Sequence, residues 1–179
     1  MRKTYLFAGF GGQGILLLSK MIALAATAEG QEVTWWPSYE GGKRGGLTTT
    51  TMVLSDERIL CPAASKGKTD LVLVMDNRTL HRFEEYVKPG GVLVINSNIV
   101  SDRPTRTDIE VLSIPANEIA ENVDASRSPN MVVCAAICKK YAPAEVEHVF
   151  AQIPVVCEGK EKFIPANERA FRAGLESVS

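Results

Sequence analysis

Gly9-Phe10-Gly11-Gly12-Gln13-Gly14 is the stretch whose reading decides the fold. It follows a short apolar run, Lys3-Thr4-Tyr5-Leu6-Phe7-Ala8, and leads into a long segment rich in Leu, Ile and Ala that closes at Glu29-Gly30. Lys3 to Gly9 therefore reads as a strand, and Gln13 to Glu29 as a helix stopped by a glycine. Glycines at G-x-G-x-x-G spacing allow a tight strand-to-helix turn and let backbone N–H groups approach a ligand closely. The helix that follows aims its positive end at whatever anion sits there, and a phosphate would suit. The same glycines would also serve simple close packing of helix on sheet, and both readings stand at this point.

Outward from this turn, short apolar runs alternate with longer amphipathic stretches, as in an α/β domain. Strands are expected at Glu32 to Trp36, halted by Pro37, and at Leu47 to Leu54, with a short returning piece at Ile59-Leu60. Asp70 to Met75, Val92 to Asn96 and Val111 to Ile114 complete the set. Helices are expected at Asn77 to Tyr86 (closed by Lys88-Pro89-Gly90-Gly91), Ala116 to Asn122, Pro129 to Tyr141 and Ala144 to Gln152. An exposed terminal helix follows from Asn167 to Glu176, and Ser97 to Asp108 reads as a polar, mobile loop. The expected fold is three-layer α/β/α, Rossmann-like, with a mostly parallel or mixed sheet, in a single domain over residues 1–179.

Composition narrows the function. A formal net charge of −1 lacks the basic excess of a nucleic-acid binder. No run reaches the roughly 18 apolar residues of a membrane span, and the start lacks the long apolar stretch of a signal peptide. The expectation is a soluble, cytoplasmic protein. Cys61, Cys134, Cys138 and Cys157 form no Cys-x-x-Cys pair, so no iron–sulfur cluster is expected in this chain. Cys134 and Cys138, spaced i, i+4 in an apolar helix, read as buried small hydrophobes. His81 and His148 sit in helical, charged settings and read as surface residues.

A nicotinamide or flavin dinucleotide would need an acid near the end of the second strand to hold the ribose hydroxyls. That strand ends Val33-Thr34-Trp35-Trp36-Pro37-Ser38, with Glu32 at its beginning and Glu40 in the loop beyond. This speaks against a dinucleotide site. The loop itself, Pro37-Ser38-Tyr39-Glu40-Gly41-Gly42-Lys43-Arg44-Gly45-Gly46, is the more unusual feature: two glycine pairs bracket two cations. Arg44 is suited to take a carboxylate or phosphate bidentately, with Lys43 as a point charge. Both glycine loops leave carboxyl ends of strands, where open α/β sheets form their ligand crevices. Trp35, Trp36 and Tyr39 adjoin this loop and are residue types enriched at protein interfaces.

Taken together, the Gly-Phe-Gly-Gly-Gln-Gly turn, Val-Thr-Trp-Trp-Pro-Ser-Tyr and Arg44-Gly45-Gly46 resemble the gamma subunits of 2-oxoacid:ferredoxin oxidoreductases, nearest the 2-oxoglutarate and 2-oxoisovalerate branches. The resemblance extends through Ser128-Pro129-Asn130-Met131 and the closing Asn167-Glu168-Arg169-Ala170-Phe171-Arg172-Ala173-Gly174. It departs at the second loop, where Tyr39-Glu40-Gly41-Gly42-Lys43-Arg44-Gly45-Gly46 replaces a common Tyr-Gly-Pro-Glu-Met-Arg-Gly-Gly.

The resemblance implies a multi-subunit enzyme that oxidatively decarboxylates a 2-oxoacid to an acyl-CoA. Thiamine diphosphate, Mg and iron–sulfur clusters would lie in partner subunits (alpha, beta and a ferredoxin-like delta), with ferredoxin as acceptor and coenzyme A as co-substrate. This chain would contribute no catalytic group. Its expected ligand-binding residues are Gly9, Gly11, Gly12, Gln13, Gly14, Ser38 and Arg44, contacting coenzyme A phosphates or packing beside the thiamine site. An indolepyruvate oxidoreductase small subunit, a free-standing dinucleotide-binding protein and a pure scaffold are the alternatives.

Overall fold

The computed structural model describes residues 1–41 and 45–178. Six strands form one mixed sheet: β1 (Arg2–Phe10), β2 (Glu32–Glu40), β3 (Leu47–Ser55), β4 (Thr69–Val74), β5 (Val87–Asn96) and β6 (Glu110–Ile114). Their order is β2-β3-β1-β4-β5-β6. β1, β4, β5 and β6 pair in parallel, whereas β3 is antiparallel to both β1 and β2.

The central strands are apolar on both sides because both faces are covered. Tyr5, Phe7, Leu71, Leu73 and Val94 point to one face, under α1 (Ile15–Ala28), α3 (Ala116–Glu121), α4 (Pro129–Tyr141) and α7 (Ile164–Glu176). Two short helices, α5 (Val146–Phe150) and α6 (Ile153–Val156), also lie on this side. Leu6, Ala8, Val72, Val74, Leu93 and Ile95 point to the other face, under α2 (Asn77–Phe83) and Val100. The three-layer α/β/α expectation holds, with the second helical layer reduced to one short helix.

Several expectations are corrected. β2 does not halt at Pro37 but runs to Glu40. It is an edge strand, where a residue lacking an N–H donor is tolerated. β5 begins at Val87 rather than Val92, passing through Pro89-Gly90-Gly91 by a register shift opposite Thr69 and Leu71. The terminal helix is not exposed along its length: Ala170 and Phe171 are fully buried. Gly174 lies so close to α4 that a Cβ there would stand 2.7 Å from Val132 Cα. Ile59-Leu60 forms no strand. Residues 97–109 are tied down, with Thr105 donating from N and Oγ1 to the Glu84 carboxylate at 2.9 and 3.0 Å.

Candidate functional site: the glycine turn and its three cavities

α1 crosses one face of the sheet from β1 toward β2, while α2 crosses the other from β4 toward β5. The switch point therefore falls between the carboxyl ends of β1 and β4, the position where open α/β sheets place ligands. The Gly9–Gly14 turn occupies it. Gln13 is the latch of this turn: its Oε1 accepts from Phe10 N–H at 2.7 Å and its Nε2 donates to Met75 O, just beyond β4, at 2.9 Å. Gln13 thus commits both ends of its amide to the fold. Gly9 lies beneath it, with no room for a Cβ.

The two glycine loops meet. Gly11 N–H donates to Gly46 O at 2.9 Å, and a Cβ on Gly11 would stand 3.0 Å from Gly45 N. Between the loops lies a cavity of about 380 Å3 lined by Gly11, Gly12, Tyr39, Glu40, Gly45 and Thr48. Ser38 does not line it; it is exposed in β2, opposite Thr49. Lys43 and Arg44 lie outside the described residues.

Two further cavities open on the other side of Gly12, of about 350 and 360 Å3, and both are lined by Gly12, Asn130 and Arg127. α1 begins here. Gly14 is its cap residue, with φ 73° and no side-chain cap. Among the described residues the Gly12 and Gly14 N–H groups donate to nothing within the chain, and the first-turn amides of α1 have no intrahelical acceptor. Asn130 Nδ2 reaches Gly14 O at 3.5 Å. Ser128 Oγ donates to Asn167 Oδ1 at 2.6 Å, and Asn167 Nδ2 donates to Cys157 Sγ at 3.1 Å. These three side chains make a buried, satisfied floor, with exposed Arg127 and Lys160 at the rim.

Open amides at a helix N-terminus beside a guanidinium make an anion-accepting edge. Arg127 was missed by sequence reasoning focused on Lys43 and Arg44; the signal was its place directly before Ser128-Pro129-Asn130, the segment that starts α4. Among the described residues no group of three His, Cys, Asp or Glu could hold a metal. Cys134 and Cys138 are buried, and the hydrogen bond between them together with burial pushes the Cys138 thiol well up. His81 and His148 are exposed at the surface, beside Asp102 and Glu29. No helix among the described residues is long and apolar enough to cross a membrane.

A family model described as pyruvate ferredoxin/flavodoxin oxidoreductase matches residues 4–177. The chain belongs to that family. Within it, the ketoisovalerate oxidoreductase subunit VorA of Methanothermobacter thermautotrophicus is 32% identical over 170 residues, 94% of this chain. The chain spans 35% of that relative's length. The fold is shared with the crystal structure of a keto/oxoacid ferredoxin oxidoreductase gamma subunit from Geobacter sulfurreducens, at TM-score 0.80 and 24% identity, covering 98% of both chains. It is shared too with a 2-oxoglutarate:ferredoxin oxidoreductase from Magnetococcus marinus, solved with 2-oxoglutarate, coenzyme A and succinyl-CoA bound. That match has TM-score 0.85 and 21% identity and covers 99% of this chain and 32% of the other. The family expected from the two glycine loops and the closing segment is the family found.

Proposed function

We propose that this chain is the gamma-type subunit of a cytoplasmic 2-oxoacid:ferredoxin oxidoreductase, and that its glycine turn binds phosphate groups of coenzyme A. Thiamine diphosphate, Mg and iron–sulfur clusters belong, on this reading, to alpha, beta and ferredoxin-like delta subunits, with ferredoxin accepting the electrons. The observation that carries it is the set of open Gly12, Gly14 and α1 N-terminal amides at the switch point, with Arg127 beside them. Gly9, Gly11 and Gln13 build the turn; Arg44 supplies charge from the second loop, and Ser38 a polar contact at the edge strand. Membership of the family supports the reaction class. Trp36 and Tyr39, 67% and 63% exposed on the edge strand, favour a partner-subunit contact there as well.

The test is purification of the chain with its partner subunits, followed by 2-oxoacid- and coenzyme-A-dependent reduction of a viologen dye. The isolated chain should be inactive. Arg127→Ala and Arg44→Ala should each raise the KM for coenzyme A about tenfold, the cost of one charged hydrogen bond, without dissociating the complex. Unchanged KM in both variants would remove the phosphate-binding role. A chain that purifies alone and binds a flavin or nicotinamide dinucleotide would remove the whole assignment.

A further inference from the structure

One short helix holds a cation against each glycine loop. Arg82, in the last turn of α2, donates from Nη1 and Nη2 to the two Glu40 carboxylate oxygens at 2.7 and 2.6 Å. Glu40 ends β2 and lines the cavity between the loops. One helical turn earlier, the Arg78 guanidinium lies 3.7 Å above the Phe10 ring, inside the first glycine turn. Its Nε also donates to Asp76 Oδ1 at 3.0 Å.

The helix is a firm base for both contacts. Asp76 and Thr79 form a capping box at its start, and Leu80 and Phe83 are buried against the sheet. The neck of the second loop is held from the opposite side by the hydrogen bond from Gly11 to Gly46. Gly41 and Gly45, the residues on either side of the neck, both have left-handed backbone, with φ 97° and 90°.

We propose that Arg82 and Arg78 are positioning residues that fix the spacing between the two glycine loops and thereby set the affinity of the cleft for its phosphate-bearing ligand. The inference rests on the coenzyme A reading above. Arg82 and Glu40 side chains are 52% and 55% exposed, so their pairing adds little to folding stability. What a forked guanidinium–carboxylate pair does supply is direction: two parallel hydrogen bonds fix the carboxylate in a plane, which a lysine ammonium does not. Glu40 is held as the carboxylate, its pKa lowered by the hydrogen bonds from Arg82.

The experiment compares Arg82→Ala, Glu40→Ala, Arg82→Lys and the exchanged pair Glu40→Arg/Arg82→Glu in the assembled enzyme, with Arg127→Ala as reference. The single alanine variants should raise the KM for coenzyme A about three- to fivefold, with kcat changing less than KM. The exchanged pair should recover most of the loss, and Arg82→Lys should not. Hydrogen–deuterium exchange of the segment 36–47 should quicken in Arg82→Ala and slow again in the exchanged pair. A wild-type KM for Arg82→Ala alongside a raised KM for Arg127→Ala overturns the brace, as does an exchanged pair no better than the single variants. If Arg127→Ala and Arg44→Ala also leave KM unchanged, the coenzyme A reading fails instead. The exchange measurement then decides the brace alone, and unchanged exchange in Arg82→Ala overturns it.

Discussion

Gly14→Ala should be among the most damaging single-methyl additions this chain can receive. Two costs meet at the position. The backbone is left-handed, φ 73°, which costs an alanine about 1–2 kcal/mol. The new Cβ would also stand 2.5 Å from Asn130 Nδ2 and 2.9 Å from Asn130 Cβ. Asn130 is buried in the first turn of α4 and cannot swing away freely, so overpacking adds about 1–3 kcal/mol. The sum is about 3 kcal/mol, which for a chain of this size lowers Tm by about 6–12 °C. Thermal melts followed by circular dichroism, with urea unfolding as a second probe, would measure it. The double variant Gly14→Ala/Asn130→Ala removes the contacts with Nδ2 and Cγ but keeps the 2.9 Å approach to Cβ and the backbone cost. Measured against Asn130→Ala alone, the glycine change should therefore cost less than in the wild-type chain, without reaching neutrality. Gly12→Ala is the internal control: φ is 102°, but nothing lies within 4 Å of the added Cβ, so only backbone strain is felt. A Gly14→Ala protein melting within about 2 °C of wild type would refute the reasoning. So would a Gly14→Ala change no better tolerated in the Asn130→Ala background than in the wild-type chain.

Gly174→Ala should destabilise by about 1–2 kcal/mol despite alanine's better helix propensity, because the methyl group would push α7 off the Val132 backbone of α4; a melt at or above wild type would contradict that packing. Asp76→Ala should cost about 1 kcal/mol through loss of the α2 cap. The Arg78 hydrogen bond lowers the Asp76 pKa in the folded state, so its stabilisation is fully present above the unfolded value and fades as pH falls through the folded one. The gap between wild type and variant should therefore narrow below about pH 4, and a gap that widened there would refute the assignment.

The fold was legible where periodicity and burial agree. β1, β4 and α4 fall where apolar runs and the Ser128-Pro129 start place them, because strands covered on both faces and a helix buried against the sheet leave little room for polar residues. What sequence could not give was partnership. Pro37 reads as a stop until β2 is known to be an edge strand, and α7 reads as exposed because its buried stripe (Asn167, Ala170, Phe171, Gly174) is narrow and partly polar. The candidate site shows the same division. The strand–turn–helix around Gly9 to Gly14 is local and was readable. Arg127, Asn130 and Lys160 reach that turn only through tertiary contact, more than a hundred residues away along the chain.

The disposition of amides at the turn decides how the site can work. Gly11 N–H is committed to Gly46 O, and Gln13 N–H to Phe10 O, so the turn faces the second loop with its donors already used. Among the described residues the Gly12 and Gly14 N–H groups are open, and both residues line a cavity shared with Arg127, although Gly12 borders the cavity between the loops as well. On the proposed reading, one anion is held at the start of α1. Among the described residues the cavity between the glycine loops is lined by backbone, Tyr39, Thr48 and a carboxylate already paired with Arg82, and Lys43 and Arg44 lie outside them. On the reading proposed above, coenzyme A has charge for both sides, since its diphosphate and its separate ribose phosphate need not share a site. Gly12, which lines all three cavities, is then the hinge point of recognition: it is the residue past which the ligand must cross, and its lack of a side chain keeps that path open.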